Sequence, residues 1–152
     1  MKEGRMDNFA RLLLLVEDRA DDVTLMMRAF RRTALPARVE VVRNGAEALA
    51  YLTGAPPYDD RGRHPFPTLV ILDLKMPGVD GYEVLERMKG DPAIPAVPVV
   101  VLTAAAEGGS VSRTYALGAD FYFVKPITPK GYMKVAQEIE KLWLALPPAG
   151  EC

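Results

Sequence analysis

The chain has 152 residues, 49% of them apolar and 26% charged, with a formal net charge of −1. This length suits one domain with a sizeable core, expected over residues 7–147, with no room for a second domain of ordinary size. The basic residues are scattered, as in Arg28, Arg31, Arg32, Arg61 and Arg63, which excludes the basic stripe of a nucleic-acid binder.

Arg11 opens the first expected strand, Leu12–Val16, an unbroken apolar run that ends on the adjacent acids Glu17 and Asp18. A run without alternation reads as a strand buried on both faces of a helix-covered parallel sheet. Asp21 or Asp22 can cap the next helix, in which Val23, Met26, Met27 and Phe30 recur at helical spacing. Leu35-Pro36 closes it. Val39, Val41 and Val42 form a short second strand, and Asn44-Gly45 leads into a helix carrying Ala46, Leu49 and Leu52. The proline-rich stretch Gly54–Pro67 reads as a surface loop.

Leu69–Leu72 is a third buried strand and stops at Asp73; Met76-Pro77-Gly78 and Asp80-Gly81 then turn the chain into an amphipathic helix from Tyr82 to Met88. Asp91-Pro92 and Pro95 mark the next connection, and Val97–Leu102 is the fourth strand, ending on Thr103. The helix expected near Glu107 to Leu117 is weak, because Gly108 and Gly109 sit in its first turn and only Val111 and Tyr115 pair at i,i+4. Phe121–Val124 is the fifth strand, with Phe121 and Phe123 read as core, and it runs into Lys125-Pro126. A final helix from Pro129 puts Tyr132, Val135, Ile139, Leu142 and Leu146 on one stripe before Pro147-Pro148 stops it.

The alternation of strand and helix argues an α/β fold with a doubly wound parallel sheet. Right-handed crossovers then put helices on both faces, and all strand carboxyl ends share the edge where such sheets bind ligands. Glu17-Asp18, Asp73, Thr103 and Lys125 each follow an apolar run, so they converge on that edge. A single Asp at a strand end commonly does no more than start a turn; the convergence gives Asp73 a larger role. Three carboxylates a few ångströms apart repel by roughly 4 kcal/mol per pair at 4 Å in an effective dielectric near 20. A divalent cation relieves that repulsion, and all-oxygen ligation suits Mg²⁺. With the metal and a lysine holding the oxygens of a phosphoryl group, Asp73 is the natural nucleophile, since a carboxylate can form an acyl phosphate. The Thr103 hydroxyl can donate to one phosphoryl oxygen and the Lys125 ammonium can pair with another.

Taken in order, Glu17-Asp18, LVILDLKMPGVDGYEVL, VVVLTAAA and FVKPI resemble the receiver domain of two-component response regulators, from about Arg11 to Leu146. The resemblance implies a flavodoxin-like five-stranded sheet of order 2-1-3-4-5 with five helices, and phosphorylation of Asp73 by a sensor histidine kinase. It assigns Mg²⁺ to Asp18, Asp73 and the backbone carbonyl of Lys75, with Glu17 acting mainly through water. It also implies a switch pair of Thr103 and Tyr122, and a cis peptide at Lys125-Pro126, where proline makes that isomer accessible. Three positions depart from the commonest pattern. Glu17 stands where Asp is more usual, Arg19 where a small polar residue is frequent, and Lys75 puts a cation two residues past Asp73, which leaves the phosphoryl lifetime open. The Gly54–Pro67 loop, the DDVTL helix start and the EKLWL terminus look like the single-domain receivers associated with bacterial phytochromes. That points to a phytochrome kinase as partner.

Two other classes compete. An aspartyl-phosphate phosphatase or phosphotransferase of similar fold carries a second Asp two residues after its nucleophile, where this chain has Lys75, which cannot serve as an acid at neutral pH. A flavodoxin-like flavin binder wants a Ser/Thr-rich phosphate loop after the first strand, and Arg19-Ala20-Asp21-Asp22 is the wrong chemistry for an anionic cofactor. His64 is the only histidine and reads as a solvated loop residue, and no G-x-S-x-G, Walker or dinucleotide glycine pattern appears. The lone Cys152, the lack of a membrane-length apolar run and the absence of a signal-peptide core in MKEGRMDNFA indicate a cytoplasmic protein without membrane contact. With no output domain expected, the signal leaves by binding a partner, by passing the phosphoryl group on, or by changing oligomeric state. Trp143, at the margin of the last helix's stripe, and Leu144, well round its far side, mark the face expected in a homodimer.

Overall fold

The structure is a computed structural model, and it describes residues 11–104 and 110–146. The expectations attached to residues 1–10, to Glu107, Gly108 and Gly109, to the Pro147-Pro148 stop and to Cys152 lie outside the described residues. In chain order the elements are β1 (Leu12–Val16), α1 (Ala20–Arg32), β2 (Arg38–Val42), α2 (Gly45–Thr53) and β3 (Leu69–Leu72), then α3 (Gly81–Gly90), β4 (Val99–Thr103), α4 (Ser110–Ala116), β5 (Phe121–Val124) and α5 (Pro129–Ala145). All strand pairs are parallel, and the order across the five-stranded sheet is β2-β1-β3-β4-β5.

The unalternated strands explain the layering. Leu12, Leu14, Val16, Val70, Leu72, Val99 and Val101 face one core with Tyr51 and Leu52 of α2 and Val84, Leu85 and Met88 of α3. Their neighbours Leu13, Leu15, Leu69, Ile71, Val100 and Leu102 face the other, packed on Met26, Ala29 and Phe30 of α1 and on Tyr132, Val135, Ala136, Ile139 and Trp143 of α5. A period-two backbone thus buries both sets, which only a sheet covered on both faces allows.

Helix starts follow local chemistry. The Asn44 side chain accepts the Glu47 N–H at 2.8 Å, that of Asp80 accepts the Glu83 N–H at 2.9 Å, and that of Thr128 accepts the Gly131 N–H at 3.0 Å, each relieving an orphan donor of a first turn. α1 is the exception: Arg19 is its N-cap and makes no side-chain cap bond, so neither Asp21 nor Asp22 caps it. The Gly54–Pro67 loop is tied down by Tyr51, whose hydroxyl donates to the Pro65 carbonyl at 2.9 Å, and by Arg61, which donates to the carbonyls of Leu52 and His64.

Four expectations are corrected. β4 begins at Val99 rather than Val97, because Pro98 has no N–H to give a ladder. Phe121 is exposed and not core, since β5 lies at the sheet edge with a half-open burial pattern. Trp143 is not marginal but fully buried at 0% exposure, with the Arg11 guanidinium 4.8 Å from its ring centre. The Lys125-Pro126 peptide is not cis; the cis bond among the described residues is Pro56-Pro57. Lys125-Pro126 keeps the trans form that X–Pro bonds favour by about 0.5–1 kcal/mol.

Candidate functional site

The sheet's own hydrogen bonds carry the site residues into place. Beyond the last paired residues the ladder continues: Glu17 donates its N–H to Val42 O at 3.0 Å, Asp73 to Val16 O at 3.1 Å, and Lys125 to Thr103 O at 2.7 Å. Residues that come after separate strands are thereby fixed to one rim. The helix after Asp73 is drawn in close by Gly81, where an added Cβ would sit 2.2 Å from the Asp73 carbonyl oxygen. Only a residue without a side chain permits that approach.

On this rim Glu17, Asp18 and Asp73 each offer a carboxylate oxygen, all within 4.8 Å of one another. Asp73 is 3% exposed and Glu17 is equally enclosed. The Lys125 ammonium, its side chain only 8% exposed, lies 2.7 Å from Glu17 Oε1, 2.9 Å from Asp22 Oδ2 and 3.1 Å from Asp73 Oδ2. An ammonium has three donors, and these contacts use them all. The acids outnumber the cation. Burial, reinforced by the charge of Asp73, pushes the Glu17 carboxyl up to about 7 despite its hydrogen bond from Lys125. Lys125 itself is raised: burial opposes its charge, but the hydrogen bonds to Asp22 and Glu17 outweigh burial.

The other expected residues fall around this centre. Thr103 is buried beside it, and its Oγ1 has no hydrogen-bond partner among the described residues. The same holds for Asp18 Oδ1 and for Tyr122 Oη, whose ring packs against the core shared with α2 and α3. Burial raises the Tyr122 phenol above its ordinary range, so it stays a neutral donor. The Lys75 backbone N–H donates to Asp73 Oδ1 at 3.3 Å, and the residue is exposed. His64 sits away from the site in the α2–β3 loop, edge-on to Tyr51 and Tyr58 and 3.7 Å from Glu40, so it is half-buried rather than solvated.

Asp22 and Tyr132 are the residues that sequence reasoning missed. Asp22 holds Lys125 and accepts the Tyr132 hydroxyl at 3.0 Å. A capping role accounted for the acid too easily. The available signal was Tyr132, a hydroxyl in an otherwise apolar stripe, which needs a polar partner once buried.

The cluster fits a divalent cation. Its donors are all oxygens, as Mg²⁺ or Mn²⁺ prefers, and among the described residues a buried Asp18 oxygen has no partner. The same rim offers a nucleophilic carboxylate, an ammonium and a hydroxyl to a tetrahedral anion.

Among the described residues no helix is long and apolar enough to cross a membrane. The sequence matches the response regulator receiver domain over residues 13–137. It is 37% identical over 133 residues to a probable methanogenesis regulatory protein, FilR2, of Methanothrix harundinacea, covering 88% of this chain and 83% of that one. It is 34% identical to the response regulator Rcp1 of Synechocystis sp. over 137 residues, 90% of this chain and 91% of Rcp1. The Mn²⁺-bound form of Rcp1 superposes with a TM-score of 0.81, at 34% identity, over 90% of this chain and 99% of that one. The phosphorylated cyanobacterial phytochrome response regulator RcpA does so with the same score and identity, over 90% and 98%. Fold, strand-end acids and matched sequence agree: the chain belongs to the response regulator receiver domain family.

Proposed function

We propose that this chain is a phosphorylation-controlled signalling switch that accepts a phosphoryl group on Asp73 from a histidine kinase. The carrying observation is the Lys125 ammonium 3.1 Å from Asp73 Oδ2, beside the acid cluster of Glu17, Asp18 and Asp73. In the transfer an Asp73 oxygen attacks phosphorus and forms an O–P bond. The P–N bond to the kinase histidine breaks, and its electron pair returns to the imidazole nitrogen. Lys125 pairs with one phosphoryl oxygen and the Thr103 hydroxyl donates to another, which gives the buried Oγ1 a partner that it lacks among the described residues. Glu17, Asp18 and Asp73, with the Lys75 backbone, are the residues that would hold Mg²⁺, which when bound offsets the charge gathering on the transferred group. The likeness to the Mn²⁺-bound form of Rcp1 supports divalent-ion binding by this chain. Tyr122, whose buried hydroxyl has no partner among the described residues, follows Thr103 as the switch residue.

The likeness to a phytochrome response regulator supports a phytochrome-type sensor as the kinase, and cytoplasmic residence goes with it. Chemistry on a substrate other than itself is not part of this reading. The output is a protein–protein contact made by one receiver domain over residues 7–147, either with a downstream protein or in a homodimer. Exposed Val111 and Tyr115 on α4, Phe121 and Val124 on β5, Ile127 beyond it and Leu144 on α5 supply apolar surface for that contact. The test of the central step is direct: acetyl phosphate with Mg²⁺ should add one phosphoryl mass, and Asp73→Asn should abolish it. Undiminished labelling of Asp73→Asn overturns the assignment.

A further inference from the structure

Lys125 has a partner that takes no part in the metal cluster. Of the carboxylates around its ammonium, Glu17 and Asp73 are also candidate metal ligands, and Asp73 is the phosphoryl acceptor. Asp22 is neither. It stands in the first turn of α1, where its carboxylate is not spent on capping, and it divides its oxygens cleanly. Oδ2 accepts from Lys125 Nζ at 2.9 Å, with Arg19 Nε at 3.3 Å on the exposed side, and Oδ1 accepts from Tyr132 Oη at 3.0 Å. Tyr132 is 2% exposed, anchored in α5 among the core residues of that face.

We propose that Asp22, oriented by the Tyr132 hydroxyl, is the positioning residue that keeps the Lys125 ammonium at the Asp73 carboxylate when Glu17 and Asp73 turn their oxygens to other partners. The proposal rests on the phosphoryl-transfer reading above. Three observations support it. A lysine on a flexible stem must be fixed before it can favour a transition state, and the fixing group must not itself be claimed by the reaction. Asp22 meets both conditions. Its carboxyl is held below its ordinary range: burial works against the charge, and the bond and charge of Lys125 overcome it. Tyr132 is raised, by burial and then by Asp22, so it remains the donor and Asp22 the acceptor. Finally, α5 grips Lys125 from the chain side as well. A Cβ on Gly131 would lie 2.4 Å from Pro126 Cβ, so the start of the helix closes directly on the residue after Lys125. The packing of α1 against α5 is in this way written into the geometry of the phosphorylation site.

The test uses the intact chain and the variants Asp22→Asn, Asp22→Glu and Tyr132→Phe. In a ¹H–¹⁵N spectrum of lysine ammonium groups, the wild-type Lys125 signal should exchange slowly with and without Mg²⁺. In Asp22→Asn it should be lost when Mg²⁺ is added. Phosphorylation by acetyl phosphate should slow about tenfold in Asp22→Asn, as for loss of one charge-assisted contact in the transition state, and about threefold in Tyr132→Phe, where Asp22 is only loosened. Asp22→Glu should recover part of the rate. Mn²⁺ affinity read by electron paramagnetic resonance should stay within about twofold of wild type throughout, since Asp22 is not a ligand. Tyr132→Phe keeps the core shape and stands in if Asp22→Asn does not fold. The positioning role is overturned if both variants are phosphorylated at the wild-type rate, if Mn²⁺ affinity falls in step with the rate, or if the Lys125 signal in Asp22→Asn survives Mg²⁺. A wild type that takes no phosphoryl group sinks the transfer reading instead, and the ammonium spectrum alone then decides on Asp22.

Discussion

Thr103 and Tyr122 each bury a hydroxyl with no hydrogen-bond partner among the described residues, which costs the resting protein stability. A site built to receive an anion carries such a cost in advance. Thr103→Val, which keeps the side chain's shape, should therefore raise urea stability of the unphosphorylated protein by about 1 kcal/mol while slowing phosphorylation. A destabilised Thr103→Val would mean that the hydroxyl already has a partner. Tyr51 offers a second test, by pH. Burial first, and the charge of Glu40 next, push its phenol up to about 12 from 10.0. A folded pKa above the unfolded one leaves stability whole below pH 10 and removes it as pH rises through about 12. The ionised form would also lose its bond to the Pro65 carbonyl. Over that window Tyr51→Phe should lose stability less steeply than wild type in denaturant titrations, by at most about 2–3 kcal/mol, while being slightly weaker at neutral pH. At this scale the residues closing the strands were legible in the sequence, because a polar residue ending an apolar run is visible in one dimension. Asp22 was not legible, since its partners Lys125 and Tyr132 lie far along the chain and only packing brings them together.

α4 is the element least secured by the rest. Its seven residues are too few for a helix to stand by propensity alone. The expected apolar pair Val111 and Tyr115 faces outward, Tyr115 being 47% exposed, and the fully buried residue is Thr114. Thr114 can be buried there because its hydroxyl donates to the Val111 carbonyl one turn back at 2.8 Å. Apart from the Arg113 guanidinium 3.8 Å from the Tyr82 ring centre, this buried polar contact leaves little apolar area to hold α4, so it can shift at modest cost. Hydrogen exchange should change at Thr103–Leu117 when beryllofluoride is added with Mg²⁺, and matching protection in both states would count against movement there. α5 shows the opposite case. Its buried seam is Tyr132, Val135, Ala136, Ile139 and Trp143, while Leu142 and Leu146 are half-buried. A wheel drawn through the leucines misplaces Trp143, because positions three and four beyond Ile139 flank the seam almost equally. The structure covers Trp143, which packs in the core with Ile139 while Arg11 donates to its carbonyl and lies over its ring.

For the molecule as a whole, the parallel sheet and the edge that holds the site followed from alternation and from crossover handedness, while the strand order came from the family resemblance. What alternation could not tell was which strand would be left at the edge with apolar residues outward, since an edge differs from a centre only by what is absent beside it. β5 is that edge, flanked by α4 and leading into α5. Along these elements Val111, Tyr115, Phe121, Val124, Ile127 and Leu144 stay exposed, Ile127 at 98% and Leu144 at 64%. Trp143 is withdrawn from this surface by its full burial, so a self-contact must be made by the others. A two-fold arrangement hides the same patch twice, because each copy offers the same surface. Phosphorylation can strengthen the contact only if the modified state binds its copy more tightly, and the proposed switch would carry that difference through Tyr122 on β5 and α4. Sedimentation of wild type, Leu144→Glu and Tyr115→Glu, each with and without beryllofluoride and Mg²⁺, separates the steps. The wild type should dimerise, more tightly when activated. Weakening by Tyr115→Glu alone puts the contact on α4 and β5, whereas weakening by Leu144→Glu puts α5 within it. A wild type that stays monomeric under both conditions removes the dimer, and a dissociation constant unmoved by beryllofluoride removes its coupling to Asp73.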